Sequence, residues 1–248
     1  MSSLPEAWYV TRTMRALEAL AFRPMSASQV AAALQVHPRT ARRLLNRLLE
    51  EEYLTRTDDA RRLYVPTMRI VALAGQVVEH ASLTQPAMPY VARLHEQTGA
   101  AAHLAVPSYR SALCLVHRAN GHEPLPPRLR ELVPCHCTAT GKVLLSWRDA
   151  WRESVLSAPL ERRTERTLTD PAALRTEAQA IRDRGYATED GELKDGVRAV
   201  AAPVFSPGGE AVAALGVSGV GGDDMDDHAA RVVDLARELT AALRWPHA

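Results

Sequence analysis

Pro38–Glu52, PRTARRLLNRLLEEE, is the stretch whose reading decides the fold. At about 100° per residue, Ala41, Leu44, Leu45 and Leu48 fall on one arc of a helix, and Arg39, Arg42, Arg43, Asn46 and Arg47 fall on the opposite arc. An apolar back suits packing. A front of arginines and one amide supplies the donors that phosphate oxygens and purine edges accept from.

The preceding residues read as the support for that helix. Tyr9–Phe22 carries Val10, Met14, Leu17 and Ala21 at helical spacing and stops at Pro24. Ser26, with Gln29 three residues on, forms a capping box for a short helix through Val30, Ala31 and Leu34. The turn Gln35-Val36-His37 leads to Pro38, which fits a first helical turn because its missing N–H has no partner there. Helix, short helix, turn, basic helix is the helix-turn-helix order. Tyr53–Arg56 and Arg62–Val65 are β-prone runs around the turn Thr57–Arg61, and a hairpin here is a wing. Arg39, Thr40, Arg42, Arg43, Asn46 and Arg47 are the expected groove and backbone contacts, with Arg43 reading a base edge or its phosphate. Arg56, Arg61 and Arg62 are expected to reach phosphate from the wing, opposed by Asp58 and Asp59. The expected partner is double-stranded operator DNA.

Composition agrees with a two-part chain. Of 248 residues, the first 65 hold ten arginines and no lysine against seven acids, whereas the whole chain is +1. Positive charge therefore sits with the motif, and the remainder is slightly acidic. No apolar run reaches the roughly 18 residues of a membrane span, and MSSLPEAWYV lacks a signal-peptide pattern. Three cysteines, Cys114, Cys135 and Cys137, follow no disulfide framework. A cytoplasmic protein without membrane contact is expected. No Gly-rich phosphate loop is present, and no cofactor is expected.

After Pro66, Met68, Val71, Ala72, Gly75 and Val78 describe a linker helix through Glu79, followed by Ser82–Pro86. Ala87–Gln97 is a helix closed by Gly99; Ala100–Pro107 and Ala112–Ala119 form a hairpin; a loop with Pro124, Pro126 and Pro127 precedes a strand at Leu129–Pro134 and a helix at Ala139–Trp147. Asp170 caps a helix over Pro171–Arg184 that ends at Gly185. Strands follow at Tyr186–Asp190, Arg198–Phe205 and Glu210–Val220, the last two joined by Ser206-Pro207-Gly208-Gly209, before a helix over Asp223–Leu243. Hairpins in place of regular βαβ units indicate an α+β class with an antiparallel sheet. The expected parts are residues 1–66, 67–85 and 86–248.

Gly185–Phe205, GYATEDGELKDGVRAVAAPVF, together with His136–Lys142 and Ala214–Gly219, resembles the IclR family of bacterial transcriptional regulators, and the resemblance covers nearly the whole chain. Glu189 stands where the family has Asp or Ser, and Ser206 where it has Asp or Asn. The resemblance implies a winged helix-turn-helix, a linker helix and a GAF-like α/β effector domain. It also implies a homodimer or a dimer of dimers, and a small organic metabolite as effector. Carried over singly, the effector-binding positions are Ala139, Thr140, Glu189, Ala199 and Ser218, with Gly216 where a second hydroxyl is often found. Ala199 and Gly216 lack hydrogen-bonding groups and are expected to add room for a larger, less polar ligand. Glu189 is expected to meet a hydroxyl, amide or amine of that ligand.

Two other readings stay open at this level. One is a regulator that needs no ligand and keeps a vestigial site. The other is an enzyme built on Cys135-His136-Cys137, since a thiol beside an imidazole can be a nucleophile or, with further partners, a zinc ligand. Neither a carboxylate pair nor a second metal cluster accompanies those residues, and no catalytic or metal-binding residue is expected.

Overall fold

The computed structural model describes residues 4–80, 83–120, 131–220 and 225–243. The chain divides into two compact units, residues 1–80 and 81–248. In the first, α1 (Leu4–Phe22), α2 (Ala27–Ala33) and α3 (Pro38–Glu50) are followed by β1 (Leu54–Arg56), β2 (Tyr64–Pro66) and α4 (Met68–His80). Ala41, Leu44, Leu45 and Leu48 are all buried, against Ala16, Leu20, Val30, Leu34, Leu54 and Tyr64. Each fully buried leucine contributes on the order of 2 kcal/mol by removal from water, so the apolar arc of α3 fixes which face is left outside.

The boundaries follow from capping. Ser26 and Gln29 form the capping box, with Ser26 Oγ accepting from Gln29 N–H and Gln29 Oε1 accepting from Ser26 N–H. α2 then stops because Gln35 turns left-handed at φ 53°, with Gln35 N–H donating to Ala32 O and Val36 N–H to Ala31 O. This is a Schellman ending built without glycine. α3 stops the same way, which is why it does not run on to Glu52. Glu52 has φ 58°, and Glu52 and Tyr53 donate back to Leu49 O and Leu48 O. β1 and β2 pair antiparallel, Thr55 opposite Val65, as the wing.

Val10 and Met14 in α1 point outward, as do Met68, Val71 and Leu73 in α4, while Ala16 and Leu20 supply α1's packing face. Periodicity finds an apolar stripe but does not say which body it packs against.

The second unit contains α5 (Thr84–Thr98), β3 (Ala101–Ser108), β4 (Ser111–Arg118), β5 (Leu132–Pro134), α6 (Ala139–Trp147), α7 (Asp149–Leu156), α8 (Pro171–Arg184), β6 (Ala187–Asp190), β7 (Val197–Phe205), β8 (Ala211–Val220) and α9 (Met225–Ala242). α5 starts at Thr84, three residues before the expected Ala87, since Pro86 lies in a first turn where its missing N–H has no helical acceptor. α7 was not foreseen. Leu129 of the expected third strand, Asp223 of the last helix and prolines 124, 126 and 127 lie outside the described residues.

All six strands are antiparallel, in the order β5-β4-β3-β8-β7-β6. Alternation sends Ala102, Leu104, Val200, Ala202, Leu215 and Val217 to one face against α5 and α9. Ala105, Ala187, Ala199, Ala201 and Ala214 go to the other, against Ala139, Val143 and Leu144 of α6 and Ile181 of α8. Among the described residues no helix is long and apolar enough to cross a membrane.

Candidate DNA-binding face and effector site

The outer face of α3 holds Arg39, Arg42, Arg43, Asn46 and Arg47 exposed and Thr40 half-buried. All six line one shallow recess, joined by His37 and Glu50. Arg43 is steadied over the Tyr9 ring at 5.3 Å, and Arg47 pairs with Glu50 at 3.0 Å. His37 is a residue that sequence reasoning missed: its Nδ1 accepts from Arg39 N–H at 3.2 Å and so caps α3. The only signal for it was its place just before Pro38, and histidine is not among the usual caps.

On the wing, Arg61 and Arg62 are exposed near the tip. Arg56 instead lies over the Tyr64 ring at 4.9 Å and donates to Tyr64 Oη at 3.0 Å, because its strand position directs it back onto the wing. Asp59 accepts from Thr57 Oγ1 at 2.6 Å and from Arg62 N–H at 3.1 Å. The Thr57 hydrogen bond holds its carboxyl below the usual carboxylate range. Asp59 therefore shapes the tip, where the sequence suggested only repulsion of phosphate.

In the second unit, register gathers the other predicted positions. Ala101, Ser218, Ala199 and Glu189 are consecutive cross-strand partners over β3, β8, β7 and β6. The next row on the same face runs His117, His103, Gly216, Ala201, Ala187. Ala139 and Thr140 start α6 over this face, and Thr140, Glu189, Ala199 and Ser218 are all buried. Gly216 does not add room. A Cβ there would come within 2.7 Å of Val200 O and 2.9 Å of Ala201 Cβ, so glycine reflects close approach of β7.

Glu189 Oε1 accepts from Leu193 N–H at 3.1 Å, and burial pushes its pKa up to about 7. Arg198, its neighbour across the strand pair at Asp190, pairs with that exposed carboxylate at 3.5 Å on the other side. The loop beyond Glu189 is fixed by Lys142 Nζ on Glu192 at 2.5 Å, by Thr167 Oγ1 donating to Glu192 O at 2.7 Å, and by Thr164 Oγ1 donating to Gly191 O at 2.7 Å.

Cys135-His136-Cys137 is arranged for packing. Burial raises both thiols, Cys137 to about 12, which keeps them protonated and unlike a cysteine nucleophile. His136 Nε2 is taken up by Glu161 O at 2.9 Å. Among the described residues no group of three or more His, Cys, Asp or Glu side chains could hold a metal ion.

Residues 75–244 match the family model for the bacterial transcriptional regulator IclR C-terminal domain. The chain is 29% identical over 230 residues to the HTH-type transcriptional regulator RhmR of Escherichia coli K12, covering 90% of this chain and 87% of that one. It is 29% identical over 200 residues to the Pca regulon regulatory protein of Pseudomonas putida, covering 79% and 68%. The crystal structure of an IclR homolog from Microbacterium hydrocarbonoxydans, complexed with 4-hydroxybenzoate, superposes with a TM-score of 0.78 at 26% identity, over 95% of this chain and 99% of that one. A family match over most of the chain, on a fold that pairs a cationic recognition helix with a buried polar site, places this protein in the IclR family of bacterial transcriptional regulators.

Proposed function

We propose that this regulator inserts α3 into the major groove, with Arg39, Thr40, Arg42, Arg43, Asn46 and Arg47 as contacts, while Arg61 and Arg62 hold phosphate beside it. Operator binding answers to a small organic effector held between the start of α6 and the sheet, at Ala139, Thr140, Glu189, Ala199, Gly216 and Ser218. The observation that carries the DNA reading is the segregation of α3: Ala41, Leu44, Leu45 and Leu48 are buried and every arginine on it is exposed. A homodimer in the cytoplasm supplies two recognition helices for paired half-sites. The outward apolar positions Val10, Met14, Met68 and Val71 support that assembly. Binding of promoter DNA, followed by fluorescence anisotropy with and without metabolites, tests the reading. Failure to prefer promoter over random DNA would overturn it, and a monomer by light scattering at micromolar concentration would remove the dimer.

A further inference from the structure

His103 lies in the middle of the α6 face, with Gly216 as its neighbour on β8 and His117 on β4. It is buried, at 2% exposure, between the buried apolar residues Ala102 and Leu104. Its Nδ1 is buried without a hydrogen-bond partner. Burial lowers its pKa to about 3, so the ring is neutral at physiological pH. In the tautomer that carries the proton on Nε2, Nδ1 is a bare lone pair, able only to accept. Thr140 Oγ1, buried at 1% exposure at the start of α6, likewise has no partner. Two orphaned buried polar atoms on one side of one sheet are costly unless something meets them.

The position beside His103 sharpens the point. Gly216 offers no side-chain hydroxyl, and the polar side chain next to it in that row is His103. The unprotonated nitrogen of a neutral imidazole accepts and cannot donate, unlike a hydroxyl, which does both.

We infer that His103 is a specificity-determining residue of the effector site, its Nδ1 accepting a hydrogen bond from a hydroxyl of the effector, with Thr140 Oγ1 completing the contact to the same oxygen. This rests on the reading that the second unit holds an effector. The ligand class is a small hydroxylated molecule whose hydroxyl enters between α6 and the β3–β8 pair, with the alanines of the two rows against its carbon frame. A ligand presenting only acceptors at this point would leave Nδ1 unpaired.

The test uses the full-length protein and matched probes with and without the donor: 4-hydroxybenzoate against 4-fluorobenzoate, and lactate against propionate, titrated by calorimetry. The parent is expected to favour the hydroxyl member of at least one pair by about tenfold or more. His103→Phe should lose that preference, and His103→Asn, which keeps an acceptor near the Nδ1 position, should restore most of it. Thr140→Val, too small a change to displace the ring, should lower the preference independently should His103→Phe not fold. Equal affinity for both members of each pair, or binding of none of the four probes, overturns the assignment, as does an unchanged preference in the folded variants. In the equal-affinity case the nitrogen serves a buried water only. Release of operator DNA by a probe without hydroxyl preference would sink His103 while leaving the effector site standing; no release by any probe would sink the site as read with these probes too.

Discussion

The outer face of α3 and the α6 face of the central sheet are both polar, but they keep their polar groups in opposite ways. On α3 the arginines stand in water and await a partner that carries charge. Their solvation makes them cheap to hold, and removing one leaves no buried group unpaired. On and over the sheet, His103 and Glu189, with Thr140 and Lys142 of α6 and Glu192 of the following loop, are buried, where each unpaired group is costly. Polar side chains on the first face set affinity for a partner, while those on the second also enter the stability of the fold.

Lys142 offers the hardest test of that contrast. Its ammonium is buried against Glu192 at 2.5 Å, with Glu177 at 3.9 Å. Lys142→Met leaves the Glu192 carboxylate without its cation and should destabilise the protein by about 3 kcal/mol in urea unfolding. Adding Glu192→Gln should recover a large part. If the single variant unfolds like the parent, the buried face is better hydrated than its exposure indicates and the contrast collapses.

Arg43→Ala is the counterpart on the exposed face. Stability should change by less than about 0.5–1 kcal/mol, the scale of an exposed contact with the Tyr9 ring. Operator affinity should fall by about 1–3 kcal/mol if the guanidinium reads a base. Equal weakening on operator and random DNA would reduce Arg43 to a phosphate contact.

These two faces were unequally legible in the sequence. The arc Ala41, Leu44, Leu45, Leu48 could be read directly, because a surface helix separates its residues by solvent and records that separation in its period. His103 could not: a lone histidine in AAHLAV reads as core, and only strand register shows that it faces α6 beside Gly216. Glu189, Ala199 and Ser218 entered through resemblance to a family, since spacing alone does not bring residues 189, 199 and 218 into one row. The stripe of Val10 and Met14 was visible but its direction was not. α7 was missed because DAWRESVL buries only Val155 and Leu156, too few positions to set a period.

Glu189 sharpens the comparison through pH. A carboxyl whose folded pKa is about 7, against an ordinary 4.5, takes up a proton on folding. Its contribution is fully present below pH 4.5 and is lost as pH rises through 7. Glu189→Gln cannot ionise and keeps an acceptor for Leu193 N–H. The variant should therefore gain on the parent between pH 5 and 8, by about 2–3 kcal/mol in the difference of their unfolding free energies. A flat difference would mean that the carboxylate reaches solvent or a cation.

The smallest effect returns to α3, at the residue that belongs to both its fold and its surface. His37 caps the helix with Nδ1 and lines the recess of arginines. Aspartate is a stronger cap and its charge suits a helix N-terminus, so His37→Asp should stabilise the protein by about 0.5 kcal/mol. The same charge faces phosphate, so DNA affinity should drop even though the fold is firmer. His37→Ser separates the two contributions, because serine caps without charge. It should match aspartate in stability to within a few tenths of a kcal/mol and bind DNA better than aspartate at low salt, the gap closing as salt screens the repulsion. Should His37→Asp bind operator as well as His37→Ser at low salt, the N-terminus of α3 would lie away from the phosphates, and the docking of the whole recess would have to be redrawn.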